Sequence, residues 1–224
     1  MPIYRETLAR IHAEAFGDTF APGFGWLADQ IAATAPEAML LDAGCGDGAW
    51  LTFARQAGIA GCGIDQSPEF VAMARRRGVS ARVGDLNTAT LPGGVTAVTA
   101  LGEVLAYEPA ALWAFAAKVA QALPRGGLLL FDVVSRQCRP GHRTAEGSDW
   151  RLDVGIAIAG DILERRIDVE TADGTVSETH RLRFFDAQDV KNRLEMLGFS
   201  VDILDAYGPC ALLEGRFAIR AERI

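Results

Sequence analysis

Apolar residues recur along this chain with two alternating periods. In residues 3–34 they fall at helical spacing: Leu8, Ile11, Ala15 and Phe16 share a face, with His12 on or near it, and Ala21-Pro22-Gly23 breaks the run before a second helix. Two helices forming a small amphipathic cap on a sheet are predicted. Met39 to Ala43 is then a short apolar run, a helical pattern through Trp50, Leu51, Phe53 and Ala54 stops at Gly58, and Ile59 to Ile64 is apolar again. Ser67-Pro68 opens the next helix with an N-cap and an N1 proline, and Gly78 closes it. Ser80 to Gly84, Val95 to Leu101 and Leu128 to Val134 read as three further strands. Between the last two, a helix from Pro109 carries Leu112, Phe115, Ala116, Val119 and Leu123 on one face. Alternation of this kind predicts an α/β fold, a parallel sheet covered by helices on both faces.

The period changes after Val134. Residues 135–147 are rich in glycine, proline and charge and read as a long exposed connection. Trp150 to Ile158, Leu163 to Thr171 and Thr175 to Phe185 then alternate, with turns at Gly160-Asp161 and Ala172-Asp173-Gly174, which predicts a three-stranded antiparallel insertion. Asp186 is placed to cap a helix carrying Val190, Leu194 and Leu197, and Gly198 stops it. Phe199 to Leu204 and Arg216 to Ala221 form a terminal antiparallel hairpin.

The chemistry gathers where the first strand ends. Asp42 is followed by Gly44, Gly46 and Gly48, so the backbone at a strand-to-helix handover is free to take positive φ and approach a ligand closely. Gly44-x-Gly46-x-x-Ala49 alone also satisfies a dinucleotide fingerprint. Asp42 argues against a phosphate there and suits a cationic group. Asp65, about 20 residues on, is placed to accept from both hydroxyls of a ribose. Asp85-Leu86 ends the third strand, where an acid can accept from an adenine amino group. Three consecutive strands thus deliver a carboxylate to one sheet edge.

Leu40-Leu41-Asp42-Ala43-Gly44-Cys45-Gly46-Asp47-Gly48, Gly63-Ile64-Asp65-Gln66-Ser67, Val83-Gly84-Asp85-Leu86 and Pro124 to Asp132 together resemble the motifs of the class I S-adenosylmethionine-dependent methyltransferases, in their order. The resemblance covers most of residues 36–135. It implies a Rossmann-like seven-stranded mixed sheet, with S-adenosylmethionine as cofactor and S-adenosylhomocysteine as product. By it, Asp42 and the Gly44 backbone hold the methionine ammonium, Asp65 the ribose, and Asp85 with Leu86 the adenine; Cys45, Gly46 and Gln66 belong to the same motifs. The mouth of the fourth strand faces the transferable methyl in that fold, which makes Leu101, by its backbone, and Glu103 candidates to touch cofactor or substrate. Thr96 stands where many relatives carry an acid. The Asn/Asp-Pro-Pro-Tyr signature of base-amine methylation is absent from this sequence.

In the last insertion strand Glu178 and His180 fall on the face of Val176, Leu182 and Phe184. They either satisfy each other beneath the insertion or line the pocket. With Glu103 and His12 they are the candidates to take a proton from an amine or hydroxyl acceptor. No covalent intermediate is needed for an in-line displacement.

The chain has 224 residues and reads as one domain: a helical cap over 1–35, a cofactor core over 36–135, an insertion over 148–185 and a terminal helix and hairpin over 186–224. A net charge of -7 argues against a nucleic-acid footprint and for a small-molecule acceptor. The four cysteines are scattered, with no metal spacing, and read as reduced thiols in the cytoplasm. No segment has the basic start and apolar core of an export signal or about 18 apolar residues in a row, so no membrane association is expected. The oligomeric state stays open. Two rival readings share the glycine loop: an NAD(P)-dependent reductase, and a cofactor-binding protein without catalysis.

Overall fold

The computed structural model describes residues 3–34 and 37–224. The expected cap-to-core boundary falls on Ala35 and Pro36, outside the described residues, as do Met1 and Pro2.

Two helices come first, α1 (Glu6–Phe16) and α2 (Phe24–Ala32), joined through a short turn at Ala21–Gly23. Strands β1 (Met39–Ala43), β2 (Ala60–Asp65), β3 (Ser80–Val83), β4 (Ala97–Ala100) and β5 (Leu128–Val134) follow. They alternate with α3 (Ala49–Gln56), α4 (Pro68–Arg76) and α5 (Leu112–Ala122). The insertion holds β6 (Gly141–Glu146), β7 (Trp150–Ala159), β8 (Ile162–Thr171) and β9 (Gly174–Arg183). After α6 (Ala187–Met196) come β10 (Phe199–Leu204), a two-residue hairpin of β11 (Ala206–Tyr207) and β12 (Cys210–Ala211), and β13 (Arg216–Arg223).

The main sheet has seven strands in the order β10-β13-β5-β4-β1-β2-β3, and β13 runs antiparallel to both its neighbours. Both faces are covered, as the apolar runs require. Leu41, Leu129, Phe131 and Val133 face α5 and α6, whereas Leu40, Leu128 and Leu130 face α2, α3 and α4. The order of connection reverses between β1 and β4, and the glycine loop leaves β1 at that switch point, where a crevice opens in sheets of this kind. Capping follows the sequence: Ser67 Oγ accepts from the Phe70 N–H at 3.2 Å and Asp186 Oδ1 from the Asp189 N–H at 2.9 Å.

Three expectations are corrected. The insertion has four strands: residues 141–146 pair along β7 as an edge strand, and their polar sequence reflects an edge exposed on both faces. Helix α5 begins at Leu112, not Pro109, because the preceding segment is drawn along the insertion; the Glu108 N–H donates to the Arg181 carbonyl at 2.8 Å and Tyr107 bridges Leu182. Helix α1 lies between α4 and the insertion and shares its core with no strand of the main sheet: His12 stands against Phe70 of α4, and Leu8 and Ile11 form a separate core with Trp150, Leu152, Ile167 and Val169, while Ala15 and Phe16 stay exposed.

Candidate active site

One large cavity, about 1110 Å³, opens over the C-terminal ends of β1, β2 and β4, between α1 and the insertion sheet. Its first half is the glycine loop and the three strand-end carboxylates. Gly44 has φ +74°, and a Cβ there would lie 2.5 Å from both methyls of Val104; Gly46 has φ +53° and an added Cβ would meet nothing within 4 Å, so the loop presents bare backbone to the cavity. The N–H groups of Gly44 and Cys45 both donate to the Ile64 carbonyl, at 2.7 and 3.1 Å, which ties the loop to the end of β2. Cys45 is buried with its Sγ against Gly63, and burial pushes its thiol pKa up, so it packs and does not react.

Asp42 is 3% exposed and lines the cavity. Its Oδ1 accepts from the Thr99 hydroxyl at 2.7 Å, and Thr99 Oγ1 accepts from the Trp50 indole N–H at 3.1 Å. Burial pushes Asp42 up to about 7 against the Thr99 bond, and the Asp65 carboxylate adds to the rise. Asp65 Oδ2 accepts from the Gly46 N–H at 2.9 Å and Oδ1 from the Ser67 N–H at 2.8 Å, so this carboxylate also holds the loop in shape. Burial raises its pKa, and those backbone bonds oppose it. Gln66, Asp85, Leu86 and Leu101 line the same cavity; Asp85 is exposed, with Oδ1 accepting from the Asn87 N–H and amide.

The second half surrounds the mouth of β4. Gly102 and Glu103 both lie in the left-handed region, φ +86° and +64°, and their N–H groups donate to the two oxygens of Asp132 at 2.8 and 2.9 Å. Tyr207 donates to the same carboxylate at 3.0 Å, and burial pushes Asp132 up to about 6. That strained corner aims Glu103 at two guanidiniums. Arg165 Nη2 donates to Oε2 at 2.9 Å and Arg216 Nε pairs with Oε1 at 2.5 Å. Burial alone would raise the Glu103 pKa, but the two arginines more than reverse it and hold the carboxyl low.

Glu178 meets the N-terminal segment. It accepts from the N–H groups of Tyr4 and Arg5 at 2.8 and 2.9 Å, and His180 Nε2 lies 3.0 Å from Oε2. Burial acts to raise Glu178, and the His180 and backbone bonds bring it below the ordinary value. His180 is 1% exposed and is not among the cavity's lining residues, lying against the rings of Tyr4 and Tyr107, and its Nδ1 has no partner among the described residues. Tyr4, at φ +55°, places its hydroxyl 3.1 Å from that of Tyr107. His12 lines the cavity against Tyr4, Phe16 and Phe70, and burial lowers it to about 4, so it is neutral at pH 7.

A family model described as a methyltransferase domain matches residues 4–203. The chain belongs to the methyltransferase domain family. A search of curated proteins finds no match. Among solved structures, an S-adenosylmethionine-dependent methyltransferase from Clostridium acetobutylicum superposes with a TM-score of 0.80 at 16% identity, covering 97% of this chain and 98% of that one. An amino pentose methyltransferase of calicheamicin biosynthesis from Micromonospora echinaspora gives 0.75 at 23% identity, over 100% and 99% of the two chains. A sugar N-methyltransferase from a Streptoalloteichus species gives 0.75 at 23%, over 100% and 97%. At these identities the likeness is one of fold.

All the sequence-nominated residues of this methyltransferase except His180 therefore line one cavity. Sequence reasoning missed Arg165, Arg216, Tyr4, Thr99 and the bracing role of Asp132. Arg165 had a signal: on β8 it interrupts the apolar face of Leu163, Ile167 and Val169. Tyr4 precedes α1 and Arg216 opens β13, where no period exists to be broken.

Proposed function

We propose that this methyltransferase uses S-adenosylmethionine, releases S-adenosylhomocysteine, and methylates the nitrogen of a small molecule, oxygen being the less favoured acceptor. The observation that carries the cofactor reading is the convergence of Asp42, Asp65 and Asp85 on a glycine loop whose bare backbone faces the same cavity. A buried carboxylate beside the Gly44 backbone, both lining the cavity, suits an ammonium. Each Asp65 oxygen keeps a lone pair for a ribose hydroxyl, Gln66 flanks it, and Asp85 with Leu86 suits an adenine edge. Leu101 closes the seat. A nicotinamide dinucleotide would set its pyrophosphate beside Asp42, and family membership also speaks against the reductase.

The bound cofactor supplies an electrophilic methyl carbon on a sulfonium. The protein supplies position, with reacting atoms brought roughly 3 Å apart in line. Nitrogen is favoured because none of the four base candidates is both placed and tuned to take a proton from a hydroxyl acceptor. Glu103 and Glu178 are held low by their partners, His180 lies behind two tyrosines, and His12 at about 4 is a weak base. A neutral amine attacks without prior deprotonation. The Tyr4 and Tyr107 hydroxyls, at the cavity wall, are the groups that orient it. The names of the amino pentose and sugar N-methyltransferases support a small polar acceptor. We also propose that the chain works as a single domain in a reducing cytoplasmic setting, its four cysteines being free. No helix of the described residues is long and apolar enough to cross a membrane.

The test is calorimetric titration with S-adenosylmethionine and S-adenosylhomocysteine, followed by methyl transfer from labelled cofactor to a panel of amino sugars and their hydroxyl counterparts. Failure of both nucleosides to bind would overturn the cofactor reading. Binding without transfer to any acceptor would favour a non-catalytic role.

A further inference from the structure

Trp50, Thr99 and Asp42 are buried side chains joined in one chain of hydrogen bonds that ends at the cavity. An indole N–H can only donate. It therefore occupies a lone pair of Thr99 Oγ1, and the hydroxyl hydrogen is left for Asp42 Oδ1 at 2.7 Å. That arrangement is complete when Asp42 is ionised. If Asp42 carried the proton on Oδ1 and gave it to Thr99, the threonine's own hydrogen would have no acceptor in the chain. Oδ2 takes no hydrogen bond among the described residues, and Asp42 reaches the cavity.

We propose that Thr99 is a positioning residue for the cofactor: anchored by Trp50, it saturates one oxygen of Asp42, favours the charged carboxylate and leaves the other oxygen to meet the ammonium. This rests on the cofactor reading above. The groups acting on Asp42 make such help necessary. Asp65 at the end of β2, Cys45 in the loop, Cys62 in β2 and Tyr207 in β11 all couple to it, and none is a cation. Burial and the Asp65 charge both favour the neutral acid, and the Thr99 hydroxyl is the group that opposes them.

The experiment is the affinity for S-adenosylhomocysteine by calorimetry from pH 6 to 9, for the wild type and Thr99→Val. The quantity of interest is the ratio of the two affinities, in which ionisation of the ligand's own amine cancels. Losing a hydrogen bond to the charged form should raise the Asp42 midpoint by about one unit from near 7. The variant should then bind about ninefold more weakly at pH 6, about fivefold at pH 7 and nearly as well as wild type at pH 9. Thr99→Ser, which keeps the hydroxyl, should restore a ratio near one throughout. Trp50→Phe, which leaves the hydroxyl unanchored, should give a smaller shift of the same sign and serves if Thr99→Val does not fold. A ratio that is constant with pH, or a wild-type midpoint in both variants, overturns the proposal while leaving the cofactor reading intact. Absence of binding to the wild type at every pH overturns both.

Discussion

Asp65 serves two ends, and its substitution should show both. Its oxygens accept from Gly46 and Ser67, so Asp65→Ala strands two backbone N–H groups as well as the proposed ribose hydroxyls. We expect a stability loss of about 2 kcal/mol or more in urea unfolding and over tenfold weaker S-adenosylhomocysteine binding by calorimetry. Glu103→Gln leaves two guanidiniums facing a neutral amide and should cost about 3 kcal/mol or more, read in the same unfolding experiment. Asp42 gives stability a sign with pH. A carboxyl raised from 3.8 to about 7 binds its proton more tightly in the folded state, so its contribution is lost as pH rises through 7. His12, lowered to about 4, acts in the opposite sense but only below about 6.5. From pH 6.5 to 7.5 the ligand-free protein should lose roughly half a kcal/mol, and Asp42→Asn should remove most of that loss, Asp132, raised to about 6, adding a smaller one of the same sign. The strand-end acids were legible because each follows an apolar run and starts a turn. Their partners were not: Thr99 and Trp50 lie in apolar stretches where nothing in the order of residues says that one hydroxyl and one indole meet Asp42.

At the scale of elements, the cap is fastened by Glu178. Its carboxylate holds the backbone of Tyr4 and Arg5, Ser67 Oγ donates to the Tyr4 carbonyl at 2.9 Å, and Trp150 Nε1 donates to Glu14 at 3.1 Å. Glu178→Ala should raise hydrogen exchange at the Tyr4 and Arg5 amides and speed dissociation of S-adenosylhomocysteine, while exchange in β1 and β5 stays unchanged. The pairing of Glu178 with His180 was readable from the period of β9. That the pair grips a segment over 170 residues away in sequence was not, because periodicity reports which face a residue occupies and not what docks there. The same limit hid β6 and moved the start of α5. An exposed edge strand has no alternation to detect, and Tyr107 and Glu108, ahead of Pro109, are held by their neighbour β9 and not by any pattern of their own.

For the whole molecule, the α/β layering followed from the alternation of strand and helix and the seven-stranded sheet from the resemblance of motifs, whereas the seating of α1 required two distant segments to meet. The cavity is closed by three parts of the chain: the sheet with its helices, the insertion, whose Leu163 and Leu182 join the main core, and α1, which shares a smaller core with the insertion. A ligand at 100 times its dissociation constant should stabilise the fold by about 2.7 kcal/mol, so S-adenosylhomocysteine should raise the melting temperature and NADH should not. Leu8, Ile11, Trp150, Leu152, Ile167 and Val169 form a core that excludes every strand of the main sheet. Selection acting on that satellite can therefore remodel what the enzyme chooses to decorate without rebuilding the strand ends that carry Asp42, Asp65 and Asp85, and the two traits are free to diverge at different paces.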